Sequence, residues 1–226
     1  DLHSFPTRRS SDLFVNTDIK MKLTVAKGST IKFSLMGNRI PELSKIVCGN
    51  KIQYAVIDDA AHKTINVQVP TDATEIVIYG NVSNFNCSGN RDNLTGVAIN
   101  DNPELFSLDC SANAIGNLYL DNNNLLTLIC GSTKIGYLDV SMNTNLFSLW
   151  CDSTNISSLD LRYNDQLQML NLSANPKLTR LNIEGADRLL RIAIDGCRFS
   201  DCGLDSIFKA LTKRSEERRV GKECRS

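Results

Sequence analysis

The sequence lacks an excess of either charge, long apolar runs and the residue groupings on which catalysis usually depends. Its 25 Lys and Arg residues balance 25 Asp and Glu residues, so the composition does not indicate nucleic-acid binding or disorder. No run of about 18 apolar residues is present, so the sequence predicts no membrane-spanning helix. We find no glycine-rich phosphate loop and no nucleophile–base grouping, and these absences argue against an enzyme.

Metal-binding patterns are missing as well. The sequence has only two histidines, and only His62 lies away from the chain ends. The cysteines recur about twenty residues apart rather than as the closely spaced pairs of a zinc site. We therefore expect neither a metal nor a cofactor.

The two ends of the chain encode the same DNA segment in opposite senses. Residues 3–13 read HSFPTRRSSDL, and the reverse complement of one coding of that stretch translates as RSEERRVGKEC, which is residues 214–224. The segment resembles a sequencing-library adapter, so we interpret residues 1–13 and 214–226 as adapter-derived rather than native. On this interpretation Cys224 is not a native cysteine and both native ends are truncated. Two genuine basic tails are the alternative.

What the sequence does contain is one short phrase repeated eleven times between Val82 and Cys197. Apolar residues occupy the first, fourth and sixth places of the phrase, and a small polar residue usually occupies the ninth. Leu125, Leu128, Cys130 and Thr133 form one such unit, and Ile135, Leu138, Val140 and Asn143 form the next. Repetition at a fixed period is the signature of a solenoid.

The residue types double the period to about twenty-one residues. Cysteine fills the third apolar place of alternate units, at Cys87, Cys110, Cys130 and Cys151. Residues two apart on a strand share a face, so we expect Leu138 and Val140 to point inward and Asp139 to face water. A polar ladder should run beside the strands, and its members are Asn113, Asn123, Asn143, Asn164 and Asn175.

Before the repeat, apolar and polar residues alternate with a period of two. Met21, Leu23 and Val25 follow this pattern, as do Ile52, Tyr54 and Val56. Such alternation predicts half-buried strands, here an antiparallel β unit over residues 14–81 that caps the solenoid of residues 82–202. After the repeat, Leu204, Ile207, Phe208 and Leu211 have helical spacing and predict a capping helix over residues 203–213.

The phrase LxxLxCxxN followed by LxxLDVSxN, as in residues 125–133 and 135–143, resembles the cysteine-bearing leucine-rich repeats of bacterial surface and secreted proteins. The resemblance covers about residues 14–213. It implies a mainly β, right-handed leucine-rich-repeat solenoid, an extracellular or cell-surface location, and binding rather than catalysis. It supplies no ligand. The match weakens in residues 178–186 and 189–197, where the asparagine is lost.

We interpret the cysteines as packing thiols in the core. Stacked coils place them about 5 Å apart, so disulfides are the alternative. Outside the ladder, Cys197 and Cys202 are the pair that we would expect to bridge if any does.

Outward strand positions are the candidate binding surface. Trp150 is the only tryptophan, and with Ile129 and Met169 it forms an apolar cluster among polar neighbours. Asp109, Asp152 and Asn171 flank this cluster and complete the predicted ligand-binding set. A covering role for Trp150, over neighbouring coils or against another domain, is the alternative interpretation.

We therefore predict a non-catalytic, extracellular, monomeric module that binds a protein or a glycan and belongs to a larger surface protein. A structural spacer that presents another domain is the alternative function. A remote alternative is a glycosidase that uses Asp139 and Asp160, which stacking would place about 5 Å apart.

Overall fold

The computed structural model describes residues 13–120, 124–209 and 211–212. The predicted adapter segments, apart from Leu13, and the predicted ladder residue Asn123 lie outside the described residues. The described part is mainly β, with short strands and one helix over residues 201–209 and 211–212.

The strands of the N-terminal unit have five to seven residues, whereas all repeat strands except one of five residues have three. They are β1 (Lys20–Val25), β2 (Thr30–Met36), β3 (Glu42–Cys48), β4 (Lys51–Ile57), β5 (Lys63–Gln68) and β6 (Glu75–Tyr79). The repeat strands are β7 (Asn84–Asn86), β8 (Leu94–Ala98), β9 (Ser107–Asp109), β10 (Asn117–Tyr119), β11 (Thr127–Ile129), β12 (Ser148–Trp150), β13 (Ser158–Asp160), β14 (Met169–Asn171), β15 (Arg180–Asn182) and β16 (Arg191–Ala193).

The N-terminal unit is antiparallel, as its alternation predicts. Met21, Leu23 and Val25 of β1 are buried, and so are Ile31, Phe33 and Leu35 of β2. β1 pairs with β6 on one side and with β8 of the repeat on the other. β2 lies in the same way between β5 and β7. Two sheets therefore run from the N-terminal unit into the solenoid without a break.

β4 corrects one sequence prediction. Ile52, Tyr54 and Val56 do not form the buried face of this strand: they are 52%, 57% and 46% exposed, and Ala55 and Ile57 are buried instead. The pairing with β3 is the reason, because it sets Ala55 opposite the buried Ser44. Residues opposite each other in an antiparallel pair share a face, so the apolar triplet must point away from the core.

The repeat strands of the cysteine-bearing halves stack in register and in parallel. They form one sheet with the strand order β16-β14-β12-β11-β9-β7-β2-β5. Leu108 lies opposite Leu128, and Leu128 lies opposite Leu149. All three side chains are fully buried in one continuous core. The file of inward leucines on which the solenoid prediction depends is thus confirmed, with coils of about 21 residues.

The other side of the solenoid is less regular. β10 extends the first sheet by pairing with β8, and β13 pairs with β15 in a separate two-stranded sheet. Leu138 and Val140 lie between these two pairs and are 5% and 1% exposed, although residues 136–140 form no strand. Asp139 is exposed, so the predicted inward and outward positions hold in this coil too.

Ile207 is the main residue through which the C-terminal helix packs against the core. Ile207 is buried, Leu211 is partly buried against the core, and Phe208 is 56% exposed. The prediction that Phe208 belongs to the packed apolar face is therefore wrong. Ser200 begins the helix, because its Oγ accepts a hydrogen bond from the Gly203 N–H at 3.2 Å.

No helix in the described ranges is both long enough and apolar enough to cross a membrane.

Candidate functional site

The polar ladder is internal and structural. Asn175 is fully buried, and its Nδ2 donates to the Leu172 carbonyl of its own coil at 2.7 Å and to the Cys151 carbonyl of the preceding coil at 2.9 Å. Its Oδ1 accepts hydrogen bonds from the Thr154 N–H and hydroxyl at 2.9 and 2.7 Å. Asn113 bonds in the same way to the Cys87 and Cys110 carbonyls. These amides join adjacent coils and are not available to a ligand.

On the other side of the solenoid the ladder continues through two further asparagines. Asn164 donates to the Val140 and Asn143 carbonyls at 3.0 and 2.9 Å, and Asn143 donates to the Leu120 carbonyl at 3.2 Å. Both side chains are buried. Asn113, Asn143, Asn164 and Asn175 thus each donate a hydrogen bond to a carbonyl of the preceding coil.

The four ladder cysteines, here called the cysteine column, are completely buried free thiols. Burial raises the pKa of Cys87, and burial followed by the neighbouring cysteines raises the pKa of Cys110. The pKa of Cys151 is also raised, first by a hydrogen bond with Cys130 and then by burial. Protonated and buried thiols are poor nucleophiles. Cys197 and Cys202 are free thiols as well, so the pairing considered from sequence does not occur.

A backbone feature that sequence analysis missed accompanies the column. On the cysteine-bearing side of the solenoid, the residue before the ladder position has a positive φ at Ala112, Ser132, Ser153 and Ala174, with values of 54° to 56°. The conformation turns its N–H to the next coil, as in the 2.7 Å bond from Ala174 to the Asp195 carbonyl. Glycine, the usual signal for this conformation, occupies the equivalent place on this side at Gly89 and Gly196, and on the other side Gly185 precedes Ala186 with a φ of 90°.

The predicted surface cluster lies on the outer face of the cysteine-bearing strands. Trp150 is directly opposite Ile129 on one side and Asn171 on the other. The residue is 42% exposed, and its Nε1 donates to Ser148 Oγ at 2.8 Å. This bond satisfies the only polar atom of the indole, so an apolar ring face is left at the surface.

A shallow groove of about 210 Å³ runs beside the tryptophan. Trp150, Met169, Asn171, Arg191 and Ile192 line it. The structure thus brings Trp150, Met169 and Asn171 of the predicted set to one depression. Ile129 lies on the strand at the other side of Trp150.

The polar members of the predicted set form hydrogen bonds within the solenoid. Asp109 Oδ1 accepts hydrogen bonds from the Ser111 N–H and hydroxyl at 3.1 and 2.7 Å. Asn171 Oδ1 accepts one from the Ser173 N–H at 3.0 Å, and its Nδ2 donates to Asp152 Oδ1 at 3.3 Å. Each bond to a residue two places ahead stabilises the turn that leaves the strand. These side chains therefore border the apolar cluster with much of their bonding capacity in use.

An apolar ridge that sequence analysis missed adjoins the cluster. Phe106, Leu126, Phe147 and Leu190 are 40%, 44%, 39% and 64% exposed. Their backbones bond coil to coil, because the Leu126 N–H donates to the Phe106 carbonyl and the Phe147 N–H to the Leu126 carbonyl, both at 2.8 Å. The signal was available in the second place of the repeat phrase. On this side of the solenoid it is apolar in four units and polar at Ser83 and Gln168, whereas in the intervening halves it is always Thr, Gly or Ser.

We call the combined surface the apolar band. It consists of the ridge together with the predicted cluster, namely Phe106, Leu126, Ile129, Phe147, Trp150, Met169 and Leu190.

The two carboxylates of the glycosidase alternative lie on the opposite side. Hydrogen bonds from the backbone and side chain of Ser141 lower the pKa of Asp139. A hydrogen bond from the Arg162 side chain, at 2.7 Å from NH2, lowers the pKa of Asp160. A glycosidase needs one carboxyl group with a raised pKa as its acid. Neither residue has this property, so the pair offers no support for catalysis.

A wide depression of about 640 Å³ lies on that side between β13, β15 and the C-terminal helix, with Asp160, Arg162 and Arg180 in its lining. Across the described residues, no three His, Cys, Asp or Glu side chains come together as a metal site.

Comparison with known proteins adds little to this geometry. No protein-family model matches the chain, and no curated protein matches its sequence. Among solved structures, the chain is similar to the functional domain of InlJ from Listeria monocytogenes, which is described as including a cysteine ladder. The similarity has 24% identity and a TM-score of 0.40, and it covers 51% of this chain and 30% of that one. The chain therefore matches less than a third of that structure.

Proposed function

We propose that this β-solenoid is a non-catalytic module that binds a partner, protein or glycan, through the apolar band. The observation that carries the proposal is the alignment of partly exposed apolar side chains on the neighbouring coils of one face, from Phe106 through Leu126 to Phe147 and Trp150. Scattered exposed apolar residues are normal on proteins, but a contiguous exposed patch marks an interaction surface.

The rigidity of the scaffold supports the same proposal. The strands beneath the band are paired in register on both sides from β9 to β14, and the leucines below them are buried. A surface held in this way loses little conformational entropy when a partner binds. Trp150 is the expected anchor, because tryptophan is enriched among the residues that dominate binding energies.

The chemistry of the band favours a protein over a glycan. Its residues offer few hydrogen-bonding atoms, and the Trp150 Nε1 is already engaged by Ser148. The nearest polar side chains, Asp109 and Asn171, accept hydrogen bonds from their own coils. A partner with an exposed apolar surface matches this better than a polyhydroxylated sugar does. The repeat resemblance further supports an exported location for the module.

Substitution of Trp150 with matched controls tests the proposal. The purified chain and its Trp150→Ala and Tyr137→Ala variants would be screened against a peptide-display library and a glycan array. Tyr137 is the control because it is 74% exposed and lies outside the band. We expect Tyr137→Ala to keep every interaction, and Trp150→Ala to weaken binding by about 2 kcal/mol or more, roughly thirtyfold in Kd.

Two results would contradict the proposal. Equal binding by Trp150→Ala and the unaltered chain would remove the band as the binding surface. Failure of both screens to yield any specific ligand would leave the spacer function as the better account. Far-UV circular dichroism of each variant establishes that the solenoid is intact.

A further inference from the structure

The strand β4 leaves an open edge on the six-stranded sheet. The strand order β10-β8-β1-β6-β3-β4 places β4 outermost, and β3 is its partner in that sheet. Its outward side chains, Ile52, Tyr54 and Val56, are all about half exposed. The edge is seven residues long and contains no proline. Long, apolar edges of this kind pair readily with another strand.

The neighbouring edge of the other sheet is built differently. β5 is the outermost strand of the eight-stranded sheet, and its outward residues are Thr64, Asn66 and Gln68. Gln68 also bonds to the Gly28 carbonyl and to the Thr30 hydroxyl, at 3.1 and 2.7 Å. The edge formed by β5 is thus polar and held by side-chain hydrogen bonds, whereas the edge formed by β4 is apolar and exposed. The contrast singles out β4 as a contact surface.

We propose that β4 pairs with β4 of a second copy of this chain, antiparallel and about a two-fold axis at Tyr54. In this register Tyr54 lies opposite its counterpart, and Ile52 lies opposite Val56 of the second copy. Residues opposite each other in an antiparallel pair share a face, so the six apolar side chains form one patch. A shift by one residue would set this face against the opposite face of the second strand.

The charges at the ends of β4 support a second copy in this orientation. Lys51 begins the strand, and Asp58 and Asp59 follow its last residue. In an antiparallel pair each copy places its basic end beside the acidic end of the other. A parallel arrangement would bring like charges together and is disfavoured. This proposal departs from the monomer that the sequence alone predicts.

Sedimentation analysis of the complete chain over a range of concentrations tests the pairing. We expect a monomer–dimer equilibrium that Val56→Lys shifts at least tenfold toward the monomer, because a lysine in the paired strand disrupts the apolar patch. Leu190→Lys is the matched control, since Leu190 is 64% exposed and belongs to the apolar band. The control should leave the equilibrium unchanged.

Cysteine cross-linking tests the register. In a background with Cys202→Ser and Cys224→Ser, Tyr54→Cys should form a disulfide-linked dimer on oxidation. Ile52→Cys should not link to itself but should link to Val56→Cys when the two variants are mixed. The geometry predicts this because opposite residues approach within disulfide distance.

A monomer at every concentration up to the near-millimolar range would overturn the proposal. A dimer that Leu190→Lys dissociates and Val56→Lys does not would overturn it as well, and would place the contact on the apolar band. Self-linking of Ile52→Cys without self-linking of Tyr54→Cys would refute the two-fold register.

Discussion

The substitution Leu149→Ala tests the stacked core most directly. Leu149 is fully buried between Leu128 and Leu170 in the file of inward side chains. The change removes three carbon atoms, which is about 2.4 kcal/mol at about 0.8 kcal/mol for each buried methylene. Paired strands on both sides prevent the site from collapsing, so a cavity adds to this cost. We expect a total of about 3–4 kcal/mol, within the range of about 2–5 kcal/mol for such changes.

Urea denaturation measures this cost, followed by far-UV circular dichroism and by the fluorescence of Trp150. Leu126→Ala is the matched control, because it makes the same chemical change at a position that is 44% exposed in the neighbouring coil. The control should cost less than about 1 kcal/mol. Comparable losses of stability at Leu149 and Leu126 would refute the assignment of inward and outward positions.

Three further expectations concern the ladder, the backbone and the thiols. Asn175→Ala should destabilise the fold by about 2–4 kcal/mol in urea titrations, because it leaves buried donors and acceptors unpaired. The control is Asn155→Ala, whose side chain accepts an exposed hydrogen bond from Lys177. It should cost less than about 0.5 kcal/mol. Ala174→Gly should raise the midpoint of thermal unfolding, because relieving the positive φ of 56° gains about 1–2 kcal/mol while the added flexibility of the unfolded chain costs about 0.4–1 kcal/mol; a lower midpoint would contradict this. The cysteine column should lower stability above about pH 8.5, the thiol pKa of the unfolded chain, by as much as about 1.4 kcal/mol per pH unit for each thiol with a raised pKa. The sign follows because the unfolded thiols lose protons that the folded ones keep, so a stability that is flat from neutral pH to pH 10 would contradict it.

The solenoid could be predicted from sequence because every coil has apolar residues in the same places, and the adjacent coil must cover them. Leu108, Leu128 and Leu149 occur in the same place of the phrase, and each needs the coil beside it to be covered. A single leucine says little about its surroundings, but a place that is apolar in every unit can only face a shared core. The polar ladder could be predicted for the same reason, since the turn after each strand leaves the same backbone groups to be bonded.

Features without repetition were harder to predict. In β4 the alternation of Ile52, Tyr54 and Val56 gives the period of a strand but not which face is covered. That choice depends on β3, whose Ser44 is buried and lies opposite Ala55. In the C-terminal helix, spacing alone placed Phe208 on the same apolar face as Ile207, whereas the structure buries Ile207, partly buries Leu211 and leaves Phe208 56% exposed.

The positive φ values show a different limit of sequence analysis. Ala112 and Ala174 adopt a conformation that glycine usually marks, and the bonds between coils compensate for its cost. No local signal in an alanine predicts this. Only the ladder residue that follows, in each coil, locates the turn.

The outward column of the cysteine-bearing face separates folding from recognition. Asn86, Asp109 and Asn171 each accept a hydrogen bond from the N–H two residues ahead, and these bonds stabilise the turns after their strands. Between them, Ile129 and Trp150 occupy the equivalent places in neighbouring coils and have no such oxygen to offer. Giving up a local stabilising interaction twice in succession, in favour of apolar groups that stay partly exposed, departs from the pattern of Asn86, Asp109 and Asn171. Ala193 in the last coil also lacks the oxygen, but it carries a methyl group rather than a large apolar side chain. Departures of the kind seen at Ile129 and Trp150 are expected where a surface serves a partner rather than the fold, and this one coincides with the centre of the apolar band.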